Sequence, residues 1–501
     1  MNAIALNKNQ NETTFIYISA VVLSILLSLW MGLRTTVINP DAICYLESAN
    51  TIGLEGLHQA MQLCGQAKWP FYSILIYGFS TFTHLSALIA ANVLDGLFSL
   101  ISVASFIYLV RLLGGSRHTM WLAAATILLA HEFNSVREYI IRDHGFWAFY
   151  LVSVAALIHY LRSPRWSYAL LWSISIVIAA LFRIEGALFL VGLPILAWLQ
   201  PRRRFMQFLQ LNALTLMAGV ALTVLLLSSH QEVGRLTDIG VQLAHGYELL
   251  THQFLVAKAS LAHNVLSQYS AKDAGLILSL LFFVWYLQSV AVNLSLIYTA
   301  LVIYAWSRRL LRLDHSAKLA IAGYILINLL VTIAFLLENM FLSKRYLMAL
   351  TLILMLWVPF ALEALIVKRK QHKWMVSIVM VTIAVYALGG IVNFGYPKTY
   401  MRDAGQWLAD NSQDSTKIYS NNVQVMYYSH RFGHSIFQQS RLFSDMNEAT
   451  NGKWKQYDYL AIRVQKNELT NNSIIKELTM SPVKIFGNKH GDQVVIYQVS
   501  R

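Results

Sequence analysis

The segment SVREYIIRDHGFWAFYL, Ser135–Leu151, sets Arg137, Glu138, Arg142 and Asp143 at the mouth of an apolar run. Charges in such a place cost free energy unless they are paired or functional. The pattern recurs: Arg183 and Glu185 follow one apolar run, and Lys344 and Arg345 precede another. Asp41 stands just beyond the first apolar run, directly after Pro40. Arginine offers a planar fork matched to phosphate oxygens, and lysine offers a point charge. A carboxylate can take a proton from a hydroxyl, so these residue types together can stabilise a leaving phosphate and activate an acceptor. Each also has a plainer reading. The cations can pair with acids or snorkel, Asp41 and Asp143 can serve helix N-termini, and Glu185 can form a local structural pair.

The elements that must position these groups are membrane helices. The 501 residues are 56% hydrophobic and 13% charged, with mean hydropathy +0.50. Apolar runs long enough to cross ~30 Å of hydrocarbon recur from Phe15 to Val392. Hydropathy predicts roughly eleven spans: Phe15–Leu33, Leu85–Leu113, Met120–Ala130, His144–Leu161, Ser167–Phe182, Ala187–Leu199, Phe205–Leu227, Val290–Trp306, Leu319–Leu337, Leu347–Val367 and Met375–Phe394. The run Leu276–Leu287 reads as a re-entrant or tilted extension of the eighth. The first run has no small-residue cleavage site and reads as a retained span. Basic residues gather in alternate loops: Lys8; Arg111 and Arg117; Arg162 and Arg165; Arg202, Arg203 and Arg204; Arg308, Arg309 and Arg312; Lys368, Arg369, Lys370 and Lys373. That alternation marks a cytoplasmic face, puts the amino terminus inside and the carboxyl terminus outside, and accounts for the net charge of +14 without nucleic acid.

On the outer face this topology leaves the loop Arg34–His84, the polar segment Ser228–Gly275 and the chain after Phe394. Arg137, Arg142, Arg183, Lys344 and Arg345 also map there, against the charge bias. Together they predict an anion site for a lipid phosphate or diphosphate at the outer membrane edge. In the first loop, Pro40 biases Asn39 towards extended backbone, and an amphipathic helix follows, expected along the membrane interface. Cys44 and Cys64, the two cysteines, lie in this loop; a disulfide is one reading and separate thiols the other. Asp95, near Asn92 in the second span, reads as a buried hydrogen-bonding group, with a proton or ion path as the minority reading. His84, His131 and His144 at outer span ends are weak ligand candidates. The tail has a helix-like KTYMRDAGQWLADN and strand-like KIYS, YDYLAIRV, PVKIF and QVVIYQV, which predict a small α/β domain. The expected fold is thus an all-α polytopic membrane domain, 1–394, whose outer loop 34–84 carries interfacial helices, followed by an extramembrane α/β domain, 395–501.

Taken in order, these segments resemble the GT-C superfamily of membrane glycosyltransferases, especially its protein mannosyltransferase and aminoarabinose transferase branch. NPDAICYLESA resembles the first-loop aspartate motif, and KWPFYSILIYGFS the aromatic-proline segment after it. IRDHGFWAFYLVSVAAL is similar to the Arg-Asp segment opening a fourth span, LFRIEGALFL to an Arg-x-Glu-Gly segment, and SKRYLMALTLILML to an Arg-Tyr pair before a late span. YPKTYMRDAGQWLADN resembles the start of the outer domain. The resemblance implies a bacterial inner-membrane enzyme that takes a sugar from a polyprenyl-phosphate donor. Transfer would be to a glycan, lipid or protein hydroxyl on the periplasmic face, with inversion. It implies Asp41 as general base and Asp143 as a ligand of acceptor, sugar or metal. It also implies Arg142, Arg183, Lys344 and Arg345 as candidates for the donor phosphate; Arg137, His144, Glu185 and Tyr346 complete the substrate-binding candidates. Ala42 stands where protein mannosyltransferases carry a second acid, which argues against a protein acceptor. No metal-ligand spacing is evident, and a divalent metal stays open. Rival readings are a transporter or flippase of a lipid-linked anion, an O-antigen ligase or polymerase, and an inactive scaffold.

Overall fold

The computed structural model describes residues 2–200, 204–229, 246–367, 373–392, 394–413, 415–430, 453–466 and 480–499. Arg202, Arg203, Lys368, Arg369 and Lys370 and part of the polar segment after Ser228 lie outside them. The chain divides into two compact units. The first comprises Met1–Leu26, Phe98–Val136 and Asp143–Val392; the second comprises Leu27–Leu97, Arg137–Arg142 and Asn393–Arg501. Composition draws a boundary near 394, whereas compactness groups the first outer loop with the tail.

The protein is an all-α polytopic membrane protein with a small mixed sheet. Among the described residues, seven helices have the length and hydropathy to cross a membrane: Asn11–Arg34, Ala87–Leu112, Asp143–Arg162, Ala271–Leu294, His315–Asn339, Lys344–Val367 and Lys373–Ile391. Trp166–Phe182, Gly186–Leu199 and Leu296–Ser307 are apolar but shorter. The most apolar part of Asp143–Arg162 is 83% buried, against 17% for Ala271–Leu294. A helix apolar on every side is either enclosed by other helices or turned to lipid, and these two represent the two cases. The eighth expected span is not one helix. The backbone breaks at Ser295, which takes a φ of +69°, and its side chain caps Leu296–Ser307 by accepting from the Tyr298 amide. Leu276–Leu287 therefore belongs to a full helix, Ala274–Leu294, and not to an extension.

Polar side chains tie the first unit's helices together where lipid supplies no hydrophobic drive for association. Asn328 Nδ2 donates to Tyr150 Oη at 2.6 Å. Trp172 Nε1 donates to Tyr324 Oη at 3.2 Å, and Ser153 meets the same hydroxyl at 2.7 Å. Loops expected on one face do meet: Arg117 pairs with Glu12, Arg162 with Asp314, and Ser116 and Thr119 donate to Glu363.

In the second unit, all four strand-like segments form strands: β1 Ile418–Ser420, β2 Tyr459–Val464, β3 Lys484–Gly487 and β4 Gln493–Gln498. They pair in the order β1-β2-β4-β3, with β1 parallel to β2 and the other neighbours antiparallel. Alternation sorts the side chains. Ala461, Val494 and Ile496 pack with Tyr400, Met401, Ala404 and Leu408 of helix Thr399–Asn411. Leu460, Ile462, Val464, Val495 and Tyr497 form a second cluster. The first outer loop folds into helix Pro40–Glu55. Ala42, Ile43, Cys44, Tyr45, Leu46, Ser48, Ala49 and Thr51 are all buried, so protein encloses the helix along most of its first three turns. Gln424 Nε2 donates to Ile38 O at 2.7 Å, and Ile38 N donates to Tyr428 Oη at 3.1 Å, which binds the loop to tail helix Val423–Tyr428.

Candidate active site

In the first unit the organising residue is Arg183. It ends helix Trp166–Phe182 in extended backbone, φ −140° and ψ 126°. The Gly186 amide then donates to Arg183 O at 2.9 Å and closes a tight turn. A Cβ on Gly186 would lie 2.6 Å from Ala180 Cα, so the turn needs glycine. Helix Asp143–Arg162 begins beside it, and a Cβ on Gly145 would overlap the Phe182 ring. The two glycines therefore permit the approach that brings the charges together.

Arg183 is 5% exposed. Its Nη1 pairs with Asp143 Oδ1, its Nη2 donates to Glu185 Oε1 at 2.6 Å, and its Nε reaches Glu185 Oε2 at 3.4 Å. The guanidinium carbon lies 4.1 Å from the centre of the Tyr346 ring, and that ring stacks on Phe335 at 3.8 Å. Arg345, from the start of helix Lys344–Leu354, brings Nη1 to 3.9 Å from Asp143 Oδ2. Two cations thus face two carboxylates, and the group is close to neutral. This matters for the expected anion site. Arg183 is engaged on both edges by acids, so it fixes Asp143 and Glu185 in place. Arg345 keeps 31% of its side chain accessible, against 6% for Arg183, and is the more exposed of the two cations.

Lys344 takes another partner. Its Nζ lies 2.6 Å from Glu132 Oε1, a carboxylate whose side chain is 7% exposed. His131 approaches the same oxygen at 3.8 Å and, through Nδ1, meets Tyr386 O at 2.8 Å. His144 is buried, with Nε2 at 3.2 Å from Val136 O and its ring edge-on to Trp147. Glu132 is not among the residues expected from the sequence; its signal is an acid beside His131 at the end of an apolar run. Phe335 has no signal in a uniformly apolar helix.

In the second unit Asp41 occupies the first turn of helix Pro40–Glu55, where an acid complements the helix dipole. Asn39, in extended backbone (φ −71°, ψ 153°), holds the cap position and Pro40 the first helical one, so Asp41 is not the cap residue. The Asn39 side chain exchanges hydrogen bonds with Ile140, accepting from its N at 3.0 Å and donating to its O at 3.2 Å. Gln66 Nε2 donates to Asp41 Oδ1 at 3.1 Å. Cys44 and Cys64 form a disulfide with their Cα atoms 6.2 Å apart, which settles the open reading of the pair. Asp95 behaves as a hydrogen-bonding group, accepting from Tyr72 Oη at 2.8 Å and from Ile141 N at 3.4 Å.

Arg137 is buried, and its Nη1 donates to Ser28 Oγ at 3.0 Å. Burial pushes its guanidinium down to about 10, which still leaves it charged at neutral pH. Arg142 is partly buried. Burial raises the Glu138 carboxyl, while Lys398 and Arg34 draw it back. Glu47, in the Asp41 helix, is pushed up to about 7 by burial. Among the described residues no three His, Cys, Asp or Glu side chains gather as a metal site.

No protein-family model matches the sequence, and no curated protein matches it. Solved structures do. One is the arabinofuranosyltransferase AftD from Mycobacteria, at 15% identity and a TM-score of 0.49, over 97% of this chain and 40% of that chain. Another is the archaeal oligosaccharyltransferase AglB from Archaeoglobus fulgidus, in complex with an inhibitory peptide and a dolichol-phosphate, at 11% identity and a TM-score of 0.49. That match covers 96% of this chain and 74% of the other. The chain thus spans well under two thirds of the length of the first of these.

Proposed function

We propose that the chain is a membrane glycosyltransferase of the GT-C type that moves a sugar from a polyprenyl-phosphate donor to an acceptor hydroxyl. The observation that carries the reading is the group around Arg183. Asp143, Arg183, Glu185, Arg345 and Tyr346 come from three separated stretches of chain, at the ends of apolar helices, into one charge-balanced cluster. The ordered motif resemblance supports the same reading.

In this mechanism Arg345 binds the donor phosphate, and Lys344 adds charge beside it. Asp143 and Glu185, fixed by Arg183, orient Arg345 and the sugar. Asp41 takes the acceptor's proton as the acceptor oxygen bonds to the anomeric carbon. The bond from that carbon to the phosphate oxygen breaks, the configuration inverts, and polyprenyl phosphate leaves with the electron pair. Cations arranged around a departing oxyanion contribute about 3 kcal/mol per donor in comparable sites. The reaction takes place on the periplasmic side of a bacterial inner membrane. The amino terminus is cytoplasmic and the tail domain periplasmic, in keeping with the alternation of basic loops. The test is transfer from a radiolabelled polyprenyl-phosphate sugar by purified protein in nanodiscs. Asp41→Asn is expected to abolish transfer while the protein stays folded, and full activity in that variant refutes the base assignment.

A further inference from the structure

Gln66 has no part in the chemistry above, yet its amide is aimed at the carboxylate on which that chemistry depends. It opens a single 3-10 turn, Gln66–Lys68, that would by itself hold no fixed position against the Asp41 helix. Covalent structure supplies the register. Cys64, two residues before Gln66, is bonded to Cys44, which lies three residues after Asp41 on the same helix. Ser48, one turn further along, brings Oγ to 3.9 Å from Cys64 Sγ. The disulfide therefore clamps the turn bearing Gln66 against the first turn of the helix bearing Asp41, and Gln66 Nε2 meets Asp41 Oδ1 at 3.1 Å.

We infer that Gln66 is a positioning residue for Asp41 and that the Cys44–Cys64 bridge exists to keep it in register. The inference rests on the reading of Asp41 as the general base. A carboxylate in a first helical turn can swing between rotamers, and an amide donor fixed against Oδ1 favours one of them. Misplacing a reacting group by about 1 Å can cost ~100-fold in rate. Loss of the Gln66 donor thus acts on turnover and leaves donor affinity alone.

The experiment measures kcat and KM for a radiolabelled polyprenyl-phosphate sugar across pH in wild type, Gln66→Ala, Gln66→Glu and Asp41→Asn. Thiol labelling checks that the bridge persists. Gln66→Glu keeps the shape but replaces the donor by a second carboxyl against Asp41. Its kcat is expected to fall about 10- to 100-fold at neutral pH, with KM for the lipid donor unchanged. Its activity relative to wild type is expected to climb as pH falls, because the introduced carboxyl, once protonated, can donate again. A purely structural role gives no such recovery. If Gln66→Glu matches wild type while Asp41→Asn is inactive, the positioning role is wrong and the base reading stands. If Asp41→Asn is active, the base reading falls and takes this inference with it. A Gln66→Glu protein that is inactive at every pH and has lost the bridge assigns Gln66 to folding and overturns the inference.

Discussion

The Arg183 group and the Asp41 loop hold carboxylates in place by opposite means. Asp143 is 3% exposed and is held by a full charge, from an arginine 40 positions away in sequence. Asp41 is partly buried and is held by a neutral amide, within a loop closed by a disulfide. Arginine grips Asp143 through a charge-assisted bond, whereas the glutamine amide meets Asp41 through a neutral one. Under the proposed function Asp143 is the anchor and Asp41 the proton acceptor.

The comparison breaks most visibly at Arg183. Arg183→Ala removes the cation that engages both Asp143 and Glu185, and losing one partner of a buried pair costs ~3–5 kcal/mol. The variant should unfold at markedly lower temperature in detergent and lose transfer. Arg183→Lys should restore part of the stability and little of the activity, since a point charge cannot span both acids. A first unit that stays as stable as wild type in Arg183→Ala would mean that the cluster is not held as described.

The second region breaks at its covalent clamp. Cys44→Ala with Cys64→Ala removes restraint worth about 3 kcal/mol for a loop of this size. Protease susceptibility should rise in the outer loop and tail, while the helices around Arg183 keep their protection. Equal loosening of both regions would contradict the separation.

Glu47 sharpens the picture through pH. Its folded value of about 7 lies above the ordinary 4.5. The native state therefore holds a proton that the unfolded chain releases, and stability falls as pH rises through that window. The ionised form costs on the order of 2 kcal/mol above the window, allowing for partial solvent access. Glu47→Gln should flatten the melting profile between about pH 4.5 and 7 and stabilise the protein above it. The smallest effect belongs to Asp314, which caps helix His315–Asn339 through the Ala317 amide and pairs with Arg162 in the open. Asp314→Ala should cost about 1 kcal/mol in a melting experiment, with transfer unchanged.

What the sequence made legible was local or periodic. Pro40 dictated where a helix begins, and short runs rich in β-branched and aromatic residues marked the strands. Long apolar runs gave the major helices. The break at Ser295 was hidden because a cap serine inside an apolar stretch changes hydropathy little. The anchoring of the Pro40–Glu55 helix was hidden as well, since Ile38, just before it, bonds to Gln424 and Tyr428, more than 380 positions away. Residue types and outer span ends singled out Asp143, Arg183 and Arg345. Their pairing into a nearly neutral group is long-range electrostatics that no spacing encodes. Gln66 escaped notice because a glutamine in a polar loop carries no distinguishing pattern.

The central claim separates two jobs, proton removal at Asp41 and phosphate binding at Arg345. The direct test measures equilibrium binding of polyprenyl phosphate and single-turnover sugar transfer in Asp41→Asn and Arg345→Ala side by side. Asp41→Asn is expected to bind the lipid phosphate as wild type does and to transfer nothing, whereas Arg345→Ala is expected to lose binding at least tenfold, equivalent to about 1.4 kcal/mol. Normal transfer by Asp41→Asn, or undiminished phosphate binding by Arg345→Ala, contradicts the claim.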